Sequence, residues 1–170
     1  NNGGLLEKIE QKENGGVFAN VVSNFNYNPM DQIILQQDAN GVMTINTYNP
    51  AQLYRLTRRL TTNSTGLKLQ DLNYVYDYVG NITQTVDASQ TNGAKTSTYI
   101  YDDLYRLISA TISNSANNQN YTQTFTYDPL GNILTKSDQE GIYEYLGRFG
   151  TNYANPHAAT SIGGAQISYD

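Results

Sequence analysis

The sequence predicts an all-β fold: antiparallel β-hairpin repeats forming a strongly curved sheet or a segment of a spiral β-shell. Two observations carry that expectation. One nine-residue formula recurs along the chain, and turn signals punctuate short alternating stretches every 8–14 residues or so. The chain has 170 residues, with 15 Tyr, no Trp and no Cys, a composition suited to exposed β-structure rather than to helices or a disulfide framework.

The formula is clearest in Phe125-Thr-Tyr-Asp-Pro-Leu-Gly-Asn-Ile133 and Tyr74-Val-Tyr-Asp-Tyr-Val-Gly-Asn-Ile82. It stands also in Tyr99-Ile-Tyr-Asp-Asp-Leu-Tyr-Arg-Leu107 and, more loosely, in Phe25-Asn-Tyr-Asn-Pro-Met-Asp-Gln-Ile33. Asp128-Pro129-Leu130-Gly131 has the residue preferences of a type I turn, and a left-handed Gly131 closes the hairpin with a bulge. That geometry pairs Asp128 with Asn132, Tyr127 with Ile133 and Phe125 with Thr135. Tyr76 then meets Ile82, Tyr101 meets Leu107, and Tyr27 meets Ile33. Each aromatic–aliphatic pair stabilises the hairpin by roughly 0.2–1 kcal/mol. The Asp carboxylates accept hydrogen bonds from turn amides.

In chain order, alternation places strands over 5–12, 17–27, 33–37, 42–48, 55–62, 67–76, 81–86, 96–101, 106–112, 121–127, 132–137 and 142–146. Tyr48 to Leu56 repeats the unit with two residues inserted in its turn. Asp38–Gly41, Asn63–Gly66, Asn92-Gly93 and Asp138–Gly141 supply the intervening turns, and a polar loop spans 114–120. The Tyr spacing is 28, 25 and 26 residues from Tyr48 through Tyr76 and Tyr101 to Tyr127, so each unit holds about two strands. About twelve strands at ~4.8 Å make a ribbon that wide sheets of this kind relieve by curling. The expected organisation is 1–24 degenerate N-terminal strands, 25–146 hairpin repeats, and 147–170 a loop with a truncated final repeat. The length suffices for one domain with a real core.

The units at 74–82, 99–107 and 125–133 resemble the YD repeats of the Rhs family. That family includes bacterial polymorphic toxins, shell components of insecticidal toxin complexes and the animal teneurins. Asn155-Pro-His-Ala-Ala-Thr-Ser-Ile-Gly-Gly164 with Ile167-Ser-Tyr-Asp170 also resembles a segment common in bacterial members. The resemblance implies a fragment of a larger protein whose repeats spiral into a hollow shell around a C-terminal effector. It further implies a secreted or cell-surface bacterial protein whose partners are the remainder of its own chain and a second shell protein. The motif residues, all read as structural, are Tyr27, Tyr48, Tyr74, Tyr76, Asp77, Gly80, Tyr99, Tyr101, Asp102, Phe125, Tyr127, Asp128 and Gly131. Tyr105 and Asp31 stand where the family usually has Gly. Tyr is costly in the left-handed region, by roughly 1–2 kcal/mol, so the Tyr101 turn is expected to be of another type.

The chemistry beyond the repeats is thin. Asp77, Asp102 and Asp128 could be imagined as acid–base carboxylates, but their recurrence at turns makes them structural. His157 is the only His, so no Ser-His-Asp site exists without it, and its place after Pro156 suggests an ordered loop. The 138–144 segment lacks the alternating ligands of a calcium loop. No cofactor, metal or catalytic residue is expected. Asn63, Asn81 and Asn120 head formal glycosylation sequons. A net charge of −5 argues against nucleic acid as a partner. No apolar run approaches the roughly 20 residues of a membrane-spanning helix. A carbohydrate- or surface-binding module is the rival, since rows of Tyr can stack on a glycan, but pairing of each Tyr with an aliphatic residue favours a core role. Unpaired sheet edges are expected to promote self-association.

Overall fold

A computed structural model describes residues 3–12, 15–89, 93–115, 119–146 and 156–169. The described residues form fourteen β-strands and one short 3-10 turn, Pro50–Gln52. The strands are β1 (Ile9–Gln11), β2 (Ala19–Tyr27), β3 (Ile33–Asp38), β4 (Met43–Asn49), β5 (Arg55–Thr62), β6 (Lys68–Tyr76) and β7 (Ile82–Asp87). They continue as β8 (Lys95–Tyr101), β9 (Leu107–Asn114), β10 (Gln119–Tyr127), β11 (Ile133–Lys136), β12 (Tyr143–Glu144), β13 (Ser161–Ile162) and β14 (Ala165–Gln166). Two compact units result, Asn1–Thr96 with Asn114–Gln119, and Ser97–Ser113 with Asn120–Asp170.

In the first unit, strands neighbour one another in chain order from β1 to β7, each pair antiparallel. This is the meander that short alternating segments joined by Asx-Gly turns must form, since each turn returns the chain beside the strand it left. The second unit carries the same chain-order arrangement through β9, β10 and β11, and a separate antiparallel sheet of β12, β13 and β14.

The register reveals a bulge that the pattern did not disclose. Tyr127 faces Ile133, as the turn geometry requires, but Thr126 faces Thr135 and Phe125 faces Lys136. Phe125 therefore does not meet Thr135, because β11 carries one extra residue just past the turn. The same shift recurs where Tyr76 faces Ile82 and Val75 faces Gln84, where Tyr27 faces Ile33 and Asn26 faces Leu35, and where Tyr48 faces Leu56 and Thr47 faces Arg58. A bulge at the same place in these four hairpins adds right-handed twist at that end.

Several boundaries differ from expectation. The strand expected over 5–12 shortens to Ile9–Gln11, all exposed, where no buried face enforces its alternation. The strand expected over 142–146 shrinks to Tyr143–Glu144. The turn expected at Asp138–Gly141 closes instead with Gln139 N donating to Lys136 O at 3.0 Å. Gly141 serves a different need: a Cβ there would lie 2.2 Å from Gly163 Cα. Strands β13 and β14 occupy a stretch expected to be loop. Gly163 and Gly164 both take positive φ, 57° and 85°, as a two-residue hairpin turn demands. The expected Asn92-Gly93 turn and the 114–120 loop include residues 92 and 116–118, which lie outside those described.

The core is small. Among the described residues only Val22 and Phe25 are buried apolar side chains, beside the polar Thr44, Asp71, Asn132 and Ser161. The expectation of a real core rested on chain length alone. Here most side chains are half-buried, so satisfied polar groups carry more of the structure.

Candidate functional site: the tyrosine–aspartate rim

Each repeat turn is closed by the side chain of its first residue. Asp128 Oδ1 accepts from the amides of Leu130 and Asn132, both at 2.8 Å, and Oδ2 from Asn132 Nδ2 at 2.8 Å. Asp77 Oδ1 accepts from the Gly80 and Asn81 amides at 2.7 and 2.8 Å, and Oδ2 from Asn81 Nδ2 at 2.8 Å. Asp102 accepts from the Leu104 and Arg106 amides at 3.0 and 2.9 Å and from Arg106 Nε at 2.8 Å. Asn28 does the same with the Met30 and Gln32 amides, both at 3.0 Å, and its own Nδ2 donates to Gln32 Oε1 at 2.8 Å. The partner four residues on changes with the chemistry: Asn or Arg donates to a carboxylate, whereas Gln accepts from the amide.

The expectation of another turn type after Tyr101 is overturned. Tyr105 takes φ 61° and its N donates to Asp102 O at 2.9 Å, matching Gly131, which has φ 90° and donates to Asp128 O at 3.1 Å. The carboxylate bonds of Asp102, reinforced by its Arg106 ion pair at 2.7 Å, hold a conformation that Tyr alone disfavours. Asp31 is likewise left-handed, at φ 58°.

Consecutive hairpins are stitched to one another at this rim. Tyr76 Oη donates to Leu56 O at 2.7 Å, and Tyr127 Oη to Leu107 O at 2.7 Å. Tyr27 reaches Leu6 O at 2.8 Å, Tyr48 reaches Ile33 O at 3.2 Å, and Tyr145 reaches Ile133 O at 3.0 Å. The physical need is visible in the register: β5 and β6 pair only from Arg58 and Asn73 inward, so the Leu56 carbonyl lies beyond the ladder. The tyrosine hydroxyl supplies the donor the ladder lacks. Desolvation raises the pKa of Tyr48, Tyr76, Tyr127 and Tyr145.

A second stitch runs from Gln32, Arg55 and Arg106, each of which precedes an aliphatic residue. Gln32 Nε2 donates to Tyr54 O at 3.1 Å, Arg55 Nη1 to Asp77 O at 3.0 Å, and Arg106 Nη1 to Asp128 O at 3.0 Å. Both arginines also lie over the next repeat's ring, Arg55 5.6 Å from the Tyr76 centroid and Arg106 4.7 Å from that of Tyr127. Gly80 makes room for this: a Cβ there would sit 2.8 Å from Arg55 Nη2. Asn132 reaches Pro156 O at 3.2 Å and His157 Nδ1 at 2.7 Å, so exposed His157 is tied into the last repeat. Asn155 lies outside the described residues.

Within each unit the motif residues thus occupy the repeat turns and the strands leading to them. Tyr74, Tyr99, Tyr101 and Phe125 are half-buried along β6, β8 and β10. For Asp77 and Asp128, desolvation alone would raise the carboxyl pKa. For Asp77 the Asn81 side chain, and for Asp128 the Asn132 amide, lead the hydrogen bonds that leave each below the usual range. For Asp102 the Arg106 amide is the leading cause of the same shift. Among the described residues no three His, Asp or Glu side chains gather into a metal-binding group.

Sequence reasoning missed four contributors to the repeat turns and one ion cluster away from them. Arg55, Arg106 and Gln32 share one position before the aliphatic, a signal legible once the repeats are aligned. Tyr145 lacked a following Asp and went unmarked. Arg58, Asp71 and Lys68 form the strongest ion cluster away from the rim: Asp71, 2% exposed, accepts from Arg58 Nε and Nη2 at 2.7 and 2.9 Å and from Lys68 Nζ at 2.7 Å. The Arg58 hydrogen bond chiefly lowers the Asp71 carboxyl to about 2.

No family model matches the chain. The toxin subunit YenC1 of Yersinia entomophaga is 34% identical over 119 residues, covering 63% of this chain and 12% of that subunit. Toxin subunit YenC2 of the same organism is 36% identical over 109 residues, covering 57% of this chain and 11% of its own. Among solved structures, that of TcdB2-TccC3-Cdc42 superposes with a TM-score of 0.67 and 28% identity over 82% of this chain and 8% of the other. The Photorhabdus luminescens Tc holotoxin pore gives 0.67 and 28% over 80% of this chain and 7% of the other. The chain therefore spans about an eighth or less of the relatives it matches, and it shares with them an all-β architecture of antiparallel hairpin repeats.

Proposed function

We propose that this chain, a member of the Rhs/YD-repeat family, is a non-enzymatic stretch of the wall of a secreted bacterial toxin-complex protein, a hollow β-shell enclosing a C-terminal effector. The observation that carries this reading is the double stitch at the rim. The hydroxyls of Tyr27, Tyr48, Tyr76 and Tyr127 and the side chains of Gln32, Arg55 and Arg106 are spent on the neighbouring segment. Side chains used in this way make a continuous wall and leave little free chemistry for a substrate. The similarity to toxin subunits and to a Tc holotoxin supports the same setting. In this reading 25–146 is repeat wall, and its partners are further repeats, the effector and a second shell protein.

The test is limited proteolysis of the full-length protein, with mass spectrometry of the protected pieces. Enclosure predicts that a segment C-terminal to the repeats survives native digestion and is cut once the shell is denatured. Immediate cleavage of that segment with the repeats intact would overturn enclosure. Carbohydrate binding through Tyr27, Tyr48, Tyr76 and Tyr127 is disfavoured because their hydroxyls already donate to backbone carbonyls.

A further inference from the structure

One stretch of the second unit departs from the repeat formula yet keeps both of its stitches. Tyr143 and Tyr145 have the spacing of Tyr74 and Tyr76, but Leu146 stands where Asp77 and Asp128 stand in the repeats. Tyr48, Tyr76 and Tyr127 donate to the carbonyl of the aliphatic after an earlier turn, Ile33, Leu56 and Leu107. Tyr145 donates to Ile133 O, the same position in the last repeat. Arg55 and Arg106 each donate to the carbonyl 22 residues on, that of Asp77 and of Asp128. Asn132 holds the corresponding place before its aliphatic and donates to Pro156 O, 24 residues on.

The Asn132 side chain is buried, so its amide must find partners within the protein. Its Nδ2 faces two groups that can only accept, Asp128 Oδ2 at 2.8 Å and Pro156 O at 3.2 Å. That fixes which way the amide points, and Oδ1 is the atom turned to His157 Nδ1 at 2.7 Å. An amide oxygen only accepts, so Nδ1 of His157 carries a hydrogen. A chain of bonds then runs from the imidazole through Asn132 to the Asp128 carboxylate. Without His157 the buried Asn132 Oδ1 would lose this donor.

We infer that residues 143–146 and 156–169 stand as a further repeat without the Asp turn, and that His157 is the positioning residue that clasps them to the last Tyr-Asp repeat. In a standard repeat the turn is closed from within by its own carboxylate. Leu146 cannot do that, and the preceding repeat supplies the hold through Asn132 and His157 instead. The clasp bears on the small sheet of β12, β13 and β14. Thr160, three residues after His157, donates its amide to Glu144 O at 2.7 Å, and Ser161 begins β13. Fixing His157 therefore fixes where β13 meets β12, while Tyr145 fixes β12 against Ile133. This role does not depend on enclosure of an effector.

Long-range proton–nitrogen correlation NMR of the 170-residue chain reads the tautomer, at about pH 8 or above where imidazole is neutral. The Nδ1-protonated form is expected; the Nε2-protonated form overturns the clasp. Hydrogen exchange measures its hold. His157→Ala should speed exchange of the Thr160 amide about tenfold or more. The Ser137 amide, bonded to Thr124 O at 3.0 Å, should exchange as in the parent. His157→Asn puts an amide nitrogen where Nδ1 stands and should keep the parental protection. His157→Gln puts one where Nε2 stands and should behave like His157→Ala. Protection in His157→Ala equal to the parent, or an Asn variant no better than the Gln variant, overturns the role. Should His157→Ala lose its β-sheet circular dichroism, the tautomer and the comparison of Asn with Gln carry the test.

Discussion

Asp128–Asn132 and Asn63–Leu67 close with the same pair of backbone bonds, and in both a glycine takes the left-handed position, Gly131 at φ 90° and Gly66 at φ 84°. Their surroundings diverge. The first turn lies where the Tyr127 hydroxyl and the Arg106 side chain bond across neighbouring hairpins. The second lies among small polar residues, and an adjacent turn comes so near that a Cβ on Gly41 would lie 2.7 Å from Ser64 Cβ. A hairpin turn is thus a local object, whereas the way hairpins hold each other is written in the residues beside it. At one rim they are held by long side chains that reach across. Away from it they are held by close packing and by the Arg58–Asp71–Lys68 cluster.

The largest effect is expected at that cluster. Asp71→Ala removes a buried acceptor from two cations that are 41% and 45% exposed and can turn to water. The loss should therefore fall near about 2–3 kcal/mol, below the usual penalty for breaking a fully buried pair. Urea unfolding measures it; a loss under roughly 0.5 kcal/mol, the size of a neutral surface change, would show the cluster to be ornamental. The same group sets a pH signature. Its folded pKa, about 2, lies below the unfolded 3.8, so its contribution is complete above the unfolded value and is lost as pH falls through 2. Asp71→Asn should flatten that acid limb.

Next comes the tyrosine stitch. Tyr76→Phe leaves the Leu56 carbonyl without its donor and should cost about 1 kcal/mol. Tyr78→Phe, at a fully exposed ring two residues on, should change stability by less than about 0.5 kcal/mol. Equal effects in thermal melts would break the distinction between the two kinds of tyrosine.

A smaller change, of opposite sign, is expected at the turn that lacks glycine. Tyr105→Gly relieves a left-handed Tyr at φ 61° and should stabilise by about 0.5–1 kcal/mol after the added unfolded-state freedom of Gly. The reverse change, Gly131→Tyr, should destabilise, because Asn132 cannot supply the ion pair that Arg106 gives Asp102. The subtlest effect is in acid. Asp77, Asp102 and Asp128 are all held below their ordinary value of 3.8, so the repeat turns should keep their hydrogen bonds above that pH and loosen below it. Carboxyl titration followed by NMR would show the three midpoints; values at or above 3.8 would contradict the hydrogen-bond pattern.

Local chemistry by itself determined the hairpins. Tyr127 opposite Ile133, Tyr76 opposite Ile82 and the Asp-to-amide bonds follow from turn stereochemistry, which acts over a few residues and is legible in Asp-Pro-Leu-Gly. Gly163-Gly164 carried an equally local signal for the β13–β14 turn. Tertiary structure alone decided what crosses between hairpins: the bulge that sets Phe125 against Lys136, the Tyr76 bond to Leu56, and the descent of Asp71 between Arg58 and Lys68. Those outcomes depend on which strands lie side by side and where their ladders end, quantities that no alternation of residues within one strand contains. Tyr105 shows the same division, since its own preference opposed the left-handed turn and the Asp102–Arg106 pair, completed only on folding, prevailed.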